Sequence, residues 1–142
     1  MKQCLADVNI VLALLVKNHE HHVRAGIWFD GLNAREVGIC RPVQLALIRL
    51  LGNKSVMGSH TVSSLQAWNL LDELLQDERV DFIGEPPSID SIFPSLLKYS
   101  VPTGKLVGDA FLAAFAIAAS STLVTLDGGF REFQGLDVFV PA

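Results

Sequence analysis

The sequence predicts a three-layer α/β domain with a mainly parallel sheet of about five strands. Short runs of β-branched and aliphatic residues alternate with helical patterns along the chain, and neither a long linker nor an internal repeat interrupts them. Half of the 142 residues are apolar and 18% are charged, which excludes a disordered protein and is enough for a full hydrophobic core. We therefore expect a single domain over residues 1–142.

The predicted strands are short, and most helices between them have a recognisable beginning or end. Strands are predicted at residues 3–6, 37–40, 80–83, 123–126 and 137–140, and helices at 10–16, 19–32, 43–51, 62–76, 88–99 and 109–119. Asn9 could cap the first helix and Thr61 the fourth. Pro42 suits the start of the third helix, which Gly52 ends.

Two of these helices carry apolar residues at helical spacing. The apolar positions are Val23, Ile27 and Leu32 in the second helix, where Ala25, Trp28 and Phe29 widen the face, and Leu65, Trp68, Leu71, Leu74 and Leu75 in the fourth. Such stripes are typical of helices that pack one face against a core. We expect the aromatic side chains Trp28, Phe29 and Trp68 to serve core or dimer packing rather than the stacking of nucleobases.

The formal net charge of −4 argues against a protein that binds nucleic acid by bulk attraction alone. It does not exclude a nucleic-acid enzyme, because bound divalent cations would reverse the field at an acidic site. Cys4 and Cys40 lie in apolar, strand-like runs and are expected to be buried free thiols of a cytosolic protein. A disulfide between neighbouring strands stays open at this stage.

No targeting segment is predicted. Asp7 and Asn9 interrupt the apolar run near the N-terminus, and no small-residue cleavage site follows it. The apolar run at residues 110–126 is shorter than a membrane span and is broken by hydroxyl residues at 120–122. We therefore expect a cytoplasmic protein.

Three aspartates occupy positions that an α/β sheet brings to one edge. Asp7 follows the first predicted strand, Asp127 follows the fourth, and Asp109 opens the long apolar helix between them. Alone, each has an ordinary interpretation, because Asp7 and Asp109 could stabilise helix N-termini and Asp127 could belong to a turn with Gly128 and Gly129. Together they favour a ligand site, since ligands of open α/β sheets bind beyond the carboxyl ends of the strands.

Three neighbouring carboxylates repel one another unless a cation offsets their charge. Ligand sets made only of oxygen suit magnesium or manganese rather than zinc. A metal held by such a cluster could orient and deprotonate a water and stabilise charge on a phosphodiester. The residues thus permit metal-assisted hydrolysis of a phosphodiester bond.

Three motifs resemble one known family. Residues 5–11, LADVNIV, look like the opening motif of PIN-domain ribonucleases, and of VapC-type toxins of toxin–antitoxin pairs in particular. Residues 109–116, DAFLAAFA, are similar to the central block of that family, and residues 123–130, LVTLDGGF, to its closing block. The motifs span nearly the whole chain in the expected order, and the closing one is the most specific.

The resemblance implies a PIN-like α/β/α domain that acts as a metal-dependent endoribonuclease with Mg²⁺ or Mn²⁺ as its cofactor. By resemblance, Asp7 and Asp109 would bind the metal, Asp127 would complete the catalytic acidic cluster, and Asn9 and Thr125 would position it. The implied protein is a toxin that forms a homodimer, cleaves RNA and is silenced by a VapB-type antitoxin covering the acidic cleft.

One departure from the family pattern affects the site. The family usually has a catalytic glutamate early in the helix after the second strand, five residues before an arginine. Here the matching residues are Gln44 and Arg49. An amide carries no charge and cannot act as a base, so the cluster has one carboxylate fewer. Glu36 precedes the strand and is expected to point elsewhere. The alternative function is therefore a catalytically weakened PIN-fold binding or scaffold module.

Other charged segments are weaker candidates. Arg49, Lys105 and Arg131 lie close in sequence to the site elements and could contact RNA phosphates, although exposed charges without a special role are equally compatible with the pattern. Residues 19–22, HEHH, resemble a metal tract, but nothing in the sequence completes a site, and a solvated helix start is favoured. A response-regulator-like domain is disfavoured because no lysine follows a late strand as that chemistry requires.

Overall fold

The computed structural model describes residues 2–100 and 104–142, without the side chains of Tyr99, Ser100 and Lys105. In this part of the chain a five-stranded sheet has the order β3-β2-β1-β4-β5. The strands are β1 (Cys4–Ala6), β2 (Val37–Ile39), β3 (Val80–Phe82), β4 (Thr122–Val124) and β5 (Val138–Phe139). All neighbouring strands pair in parallel, which confirms the predicted fold class. The predicted connection at residues 102–104 falls mostly outside the described residues.

Helices connect the strands and cover both faces of the sheet. They are α1 (Val8–Leu15), α2 (His22–Asp30), α3 (Arg41–Leu51), α4 (Lys54–Met57), α5 (Ser64–Leu75), α6 (Ile89–Ser100) and α7 (Val107–Ala118). Helices α1, α2, α3 and α5 pack on one another, and α6 packs on α7. Parallel crossovers are right-handed, and the chain reverses its direction across the sheet after β3. The two groups of helices therefore lie on opposite faces.

The core is densest around β1 and α7. Both are nearly all apolar, and the small residues Ala110, Ala113 and Ala114 of α7 are fully buried, which lets this helix lie close to the sheet. Phe111 contacts Phe93 of α6 edge to face, with ring centroids 5.2 Å apart. Gly38 of β2 is also dictated by packing, since an added Cβ would overlap the side chain of Ile83.

Two helix caps differ from the prediction. Helix α1 begins at Val8, and its cap is Asp7, whose Oδ1 accepts a hydrogen bond from Val8 N at 2.7 Å. Asn9 lies inside the first turn and is free to reach another strand. Helix α5 is capped by Ser63, which forms a reciprocal capping box with Gln66. The predicted cap at Thr61 was therefore wrong by two residues, because either hydroxyl can cap and only Ser63 has the matching glutamine at the N3 position.

The predicted apolar faces of α2 and α5 were partly wrong. Val23 and Ile27 are 71% and 69% exposed, whereas Ala25 and Phe29 of the same helix are buried. In α5, Leu71 is buried as predicted, but Leu65 and Trp68 are exposed. Each helix buries an alanine beside one large apolar residue, and the small side chain allows close helix packing. The exposure of Trp68 excludes the core alternative of its prediction, and packing in a dimer stays a prediction.

Cys4 and Cys40 are both buried and free, so the disulfide that the sequence left open is not formed. Burial raises the pKa of the Cys4 thiol to about 12 and that of Cys40 to about 11, which keeps both protonated at neutral pH. Over the described stretches, no helix has both the length and the apolar character needed to span a membrane.

Candidate active site

The candidate active site lies where the strand order reverses. Strand β1 has β2 on one side and β4 on the other, so the crevice beyond β1 and β4 is the switch point at which α/β sheets bind ligands. Sheet hydrogen bonds continue past the strand ends, because Asp7 N donates to Val124 O at 2.9 Å. Asp7 is thereby held next to Thr125, the residue that follows β4.

Asp7 is buried just beyond the carboxyl end of β1. Its side chain is 7% exposed. Oδ1 accepts from Val8 N at 2.7 Å, and Oδ2 accepts from the Thr125 hydroxyl at 2.8 Å. Burial raises the pKa of Asp7 above its ordinary value, and the charges of Asp109 and Asp127 add to the rise, while the two hydrogen bonds oppose it. The ionised form of Asp7 is therefore disfavoured by its surroundings.

Thr125 links this acid to the other elements of the site. Its fully buried hydroxyl accepts from Asn9 Nδ2 at 3.1 Å and from Asp127 N at 3.0 Å. The single hydroxyl proton is directed to Asp7, because Asp7 Oδ2 at 2.8 Å is a nearer acceptor than Asn9 Oδ1 at 3.4 Å. Asn9 Oδ1 accepts from Leu126 N at 3.0 Å, which fixes the orientation of the amide. The network ties the start of α1 to the end of β4.

Asp109 and Asp127 complete an acidic group with Asp7. Asp109 lies in the first turn of α7 and is partly buried; burial raises its pKa, and the charge of Asp127 adds to the rise. Asp127 is exposed, and its Oδ1 accepts from Gly129 N at 2.9 Å in a 3₁₀ helix over Gly128–Glu132. The turn role considered for Asp127 is thus present together with its proximity to Asp109.

A pocket of about 330 Å³ opens at these acids. It is lined by Leu106, Asp109, Asp127, Gly129, Phe130, Glu132 and Phe133. Glu132, a third acid in this wall, was not predicted. The sequence could have indicated Glu132, because it lies between Phe130 and Phe133. Both phenylalanines are buried, which leaves the charged residues between them on the outside. A wider depression of about 540 Å³ near Asn33 and Arg79 lies away from the acids.

The donor chemistry of the acidic group fits a magnesium or manganese ion. Asp7 and Asp109 offer only carboxylate oxygens, and each oxygen of Asp7 accepts one hydrogen bond and keeps acceptor capacity. Across residues 2–100 and 104–142, no three His, Cys, Asp or Glu side chains are close enough to hold a metal together. The group therefore fits an ion bound by one or two carboxylates and completed by water and phosphate, as is usual for magnesium.

Gln44 is oriented by an arginine rather than by the acids. It is 1% exposed, and its Oε1 accepts from Arg41 Nη1 at 2.7 Å. This oxygen is the only atom through which the amide could ligate a cation. Glu36 lies at the other end of β2, where it contacts Asn33, as expected from its position before the strand.

The chain matches the PIN domain family model over residues 4–136. It belongs to the PIN-domain family. Over 139 residues it is 34% identical to Ribonuclease VapC41 of Mycobacterium tuberculosis, with 94% of this chain and 95% of that protein covered. Solved PIN-domain structures share its fold at low sequence identity, as the next two comparisons illustrate.

One is VapBC2 from Rickettsia felis bound to a DNA fragment from its promoter, with a TM-score of 0.67, 19% identity, and 97% of this chain and 98% of that chain covered. The other is VapC20 of Mycobacterium tuberculosis, a sarcin–ricin loop cleaving toxin, with a TM-score of 0.66, 14% identity, and 95% and 99% of the two chains covered.

This PIN domain does not bring every predicted site residue together. Hydrogen bonds join Asp7, Asn9, Thr125 and Asp127 at the crevice. Asp109 is linked to them by its charge, which acts together with that of Asp127 on Asp7. Arg49 lies exposed in the last turn of α3, and none of the hydrogen bonds and ion pairs recorded for the described residues joins it to the acids. The side chain of Lys105 falls outside the described residues. Arg131 is exposed in the 3₁₀ helix beside the pocket.

The histidine-rich segment of the PIN domain is held by local contacts. His19 Nδ1 accepts from His21 N at 3.0 Å, and His22 Nδ1 lies 2.8 Å from Ala13 O. These bonds hold the rings of His19 and His22 against the backbone, and among the described residues no group of three possible metal ligands is found. The segment forms the turn before α2, in agreement with the interpretation favoured by the sequence.

Proposed function

We propose that this PIN-domain protein is an endoribonuclease that hydrolyses RNA phosphodiester bonds with the help of a Mg²⁺ or Mn²⁺ ion. The observation that carries the proposal is the pair Asp7 and Asp109, whose pKa values are both raised at the switch point of the sheet. Carboxylates that resist ionisation and form no ion pair with the described side chains are suited to receive a divalent cation.

Asp7 and Asp109 would hold the ion, which when bound would polarise a water and offset negative charge on the phosphate. Thr125 acts behind Asp7, because its hydroxyl proton holds Oδ2 in place. Asn9 in turn holds Thr125 and the backbone at Leu126. Asp127 supplies a further negative charge at the wall of the pocket. These residues orient the metal-binding oxygens before substrate arrives, which is what second-shell groups contribute.

A weakened binding or scaffold module is the second candidate function. The observation that favours it is Gln44, whose oxygen is engaged by Arg41 and which brings no charge to the acidic group. Fewer carboxylates lower the affinity for a second cation. The nuclease remains the better proposal, since Asp7, Asp109 and their supporting network are complete without Gln44.

We further propose that the protein is the toxin of a toxin–antitoxin pair, acts in the cytoplasm as a homodimer, and is inhibited by a VapB-type antitoxin. The curated relative is a VapC ribonuclease, and several structural neighbours are VapBC complexes. Binding to a protein encoded beside it tests this part. Failure to form a tight complex with that partner would contradict the toxin role without affecting the nuclease.

The decisive experiment is cleavage of a pool of structured RNAs with manganese, with chelator, and with the Asp109→Asn variant. Asp90→Asn is the matched control, because Asp90 also lies in the first turn of a helix but is exposed and away from the pocket. We expect manganese-dependent cutting that Asp109→Asn abolishes and Asp90→Asn preserves. Cutting that survives both chelator and Asp109→Asn would contradict the proposed site, and a folded, metal-loaded protein that cuts none of the RNAs would favour the scaffold.

A further inference from the structure

An arginine and two aromatic rings form an exposed cluster beside the candidate active site. The guanidinium carbon of Arg41 lies 4.8 Å from the ring centroid of Phe82 and 5.8 Å from that of Trp68. Trp68 and Phe82 are 41% and 44% exposed. Three elements supply these residues: the start of α3, the end of β3 and the middle of α5. We call Arg41, Trp68 and Phe82 the Arg41 surface.

The Arg41 surface lies on the same edge of the sheet as Asp7. Phe82 ends β3 opposite Ile39 of β2, and β2 in turn pairs with β1, which ends one residue before Asp7. Arg41 follows Cys40. The charge of Asp7 contributes slightly to the raised pKa of the Cys40 thiol, so the two residues are near one another. Two strand spacings separate β3 from β1, so the surface lies about 10 Å along the edge from Asp7.

The chemistry of the Arg41 surface suits a nucleotide. Exposed aromatic rings offer flat faces on which a nucleobase can stack, and an arginine beside them can add stacking and charge. Arg41 has five N–H donors, and Gln44 accepts from Nη1. Donors remain for a phosphate, while the bond to Gln44 and the two rings hold the guanidinium in place.

We propose that the Arg41 surface binds a single-stranded segment of RNA next to the bond that is cut, with a base stacked on Trp68 or Phe82 and a phosphate at Arg41. The inference rests on the proposed nuclease function, because it names a contact for the same substrate. It assigns Gln44 a positioning role through Arg41, and it places the RNA-binding arginine at the start of α3 rather than at Arg49.

A second copy of the chain is the competing occupant. Leu65 is exposed one turn before Trp68 on α5, and exposed apolar residues are common in subunit interfaces. However, a two-fold interface centred on this surface would bring two Arg41 guanidinium groups together. A base and phosphate satisfy both the rings and the charge, so we favour RNA.

The test measures binding of a fluorescently labelled, mixed-sequence single-stranded RNA of about ten nucleotides in chelator, where the proposed nuclease is inactive. Trp68→Leu, Phe82→Leu and Arg41→Gln are compared with two controls. Phe139→Leu changes an aromatic residue of similar exposure on β5, the outer strand on the opposite side of the sheet from β3. Lys17→Gln removes an exposed positive charge beyond the far end of α1.

We expect each variant of the Arg41 surface to weaken RNA binding about tenfold and both controls to bind like the parent protein. With manganese, the same variants should raise KM more than they lower kcat. In a Trp28→Phe background Trp68 is the sole tryptophan, and its fluorescence should be quenched by RNA. Quenching reports direct stacking, which a structural role of Trp68 would not produce.

The outcomes separate this inference from the proposed function. RNA binding that needs Trp68, without cutting by any metal-loaded protein, would support the surface and contradict the nuclease. Cutting with unchanged binding and KM in all three variants would overturn the surface and leave the nuclease standing. If Trp68→Leu converts a dimer to a monomer in sedimentation while RNA affinity is unchanged, the surface is an interface between copies and the inference is wrong.

Discussion

Asp7 lies at the carboxyl ends of the strands and Asp77 at their amino ends, and the surroundings shift the pKa values of the two carboxylates in opposite directions. Asp77 precedes β3 and is gripped by Arg79, whose Nε and Nη2 donate at 2.9 and 2.7 Å. Those hydrogen bonds lower the pKa of Asp77 to about 2. Asp7 is buried, its pKa is raised, and its strongest partner is the hydroxyl of Thr125.

The difference lies in where the cation comes from. Asp77, at the amino ends of the strands, is neutralised by the ion pair with Arg79. The guanidinium of Arg79 is held in place because it also stacks 3.9 Å over the ring of Phe29. None of the ion pairs formed by the described residues involves Asp7, Asp109 or Asp127. Neighbouring carboxylates that have no arginine or lysine partner can be stabilised by a cation bound from solution. This contrast supports a metal site at the carboxyl ends of β1 and β4.

The largest effect among the variants that probe this contrast is expected for Thr125→Val. It removes the proton donor of Asp7 and leaves Asn9 Nδ2 and Asp127 N without their acceptor. Manganese affinity should fall about 10- to 100-fold, as for other second-shell losses, and the free energy of unfolding should fall by about 1–3 kcal/mol. Calorimetric titration with manganese and denaturant unfolding measure the two quantities.

Thr122→Val is the control on the same strand, because its hydroxyl donates to Asp137 at the surface, 2.7 Å away. It should leave manganese affinity unchanged. Equal losses of affinity in the two variants would show that Thr125 has no specific role at the acidic edge.

A smaller change is expected for Gln44→Glu, which places a carboxylate beside an arginine as at Asp77. If Asp7 and Asp109 bind metal, the added carboxylate, which restores the glutamate usual in the family, should raise manganese affinity about tenfold, roughly 1.4 kcal/mol. Gln66→Glu is the control, since it adds the same charge in the exposed first turn of α5, where a glutamate preserves the capping box. Identical affinities in parent and Gln44→Glu would mean that Arg41 neutralises the new acid, and would favour the binding-module alternative.

The smallest expected effects concern pH. The pKa of Asp77 is lowered from 3.8 to about 2, so its contribution to stability is present above pH 4 and is lost as pH falls through this window. The contribution of Asp7 to stability depends on pH in the opposite direction. Its raised pKa means that the metal-free native state takes up the proton first, so stability should increase as pH falls from neutral towards 3.8.

Thermal unfolding in chelator checks both signs. Asp77→Asn should remove the loss of stability at low pH, at most about 1 kcal/mol for a partly exposed pair. Asp7→Asn should remove the gain. If acidification destabilises the metal-free parent protein and Asp7→Asn alike across the whole range from neutral pH to 3.8, the contrast between the two acids is wrong.

Much of the fold and part of the candidate site could be predicted from local sequence. Apolar runs placed all five strands to within a few residues, and the aspartates that follow β1 and β4 were identified from their positions. The helix faces were less predictable, because Val23 and Leu65 are exposed although they fit the apolar pattern, whereas Ala67, which was not part of the pattern, is buried. Hydrophobicity ranks side chains by size, whereas close helix packing selects small ones.

The sequence by itself determined the order of strands and helices, and with it the placement of Asp7 and Asp127 just beyond strands, because these features follow from local periodicity. Only the tertiary structure decided which side chains meet there. The Thr125 proton points to Asp7 because Asp7 Oδ2 is a nearer acceptor than Asn9 Oδ1. Arg41 lies between residues of two other elements, and such contacts depend on how distant segments pack rather than on any local pattern.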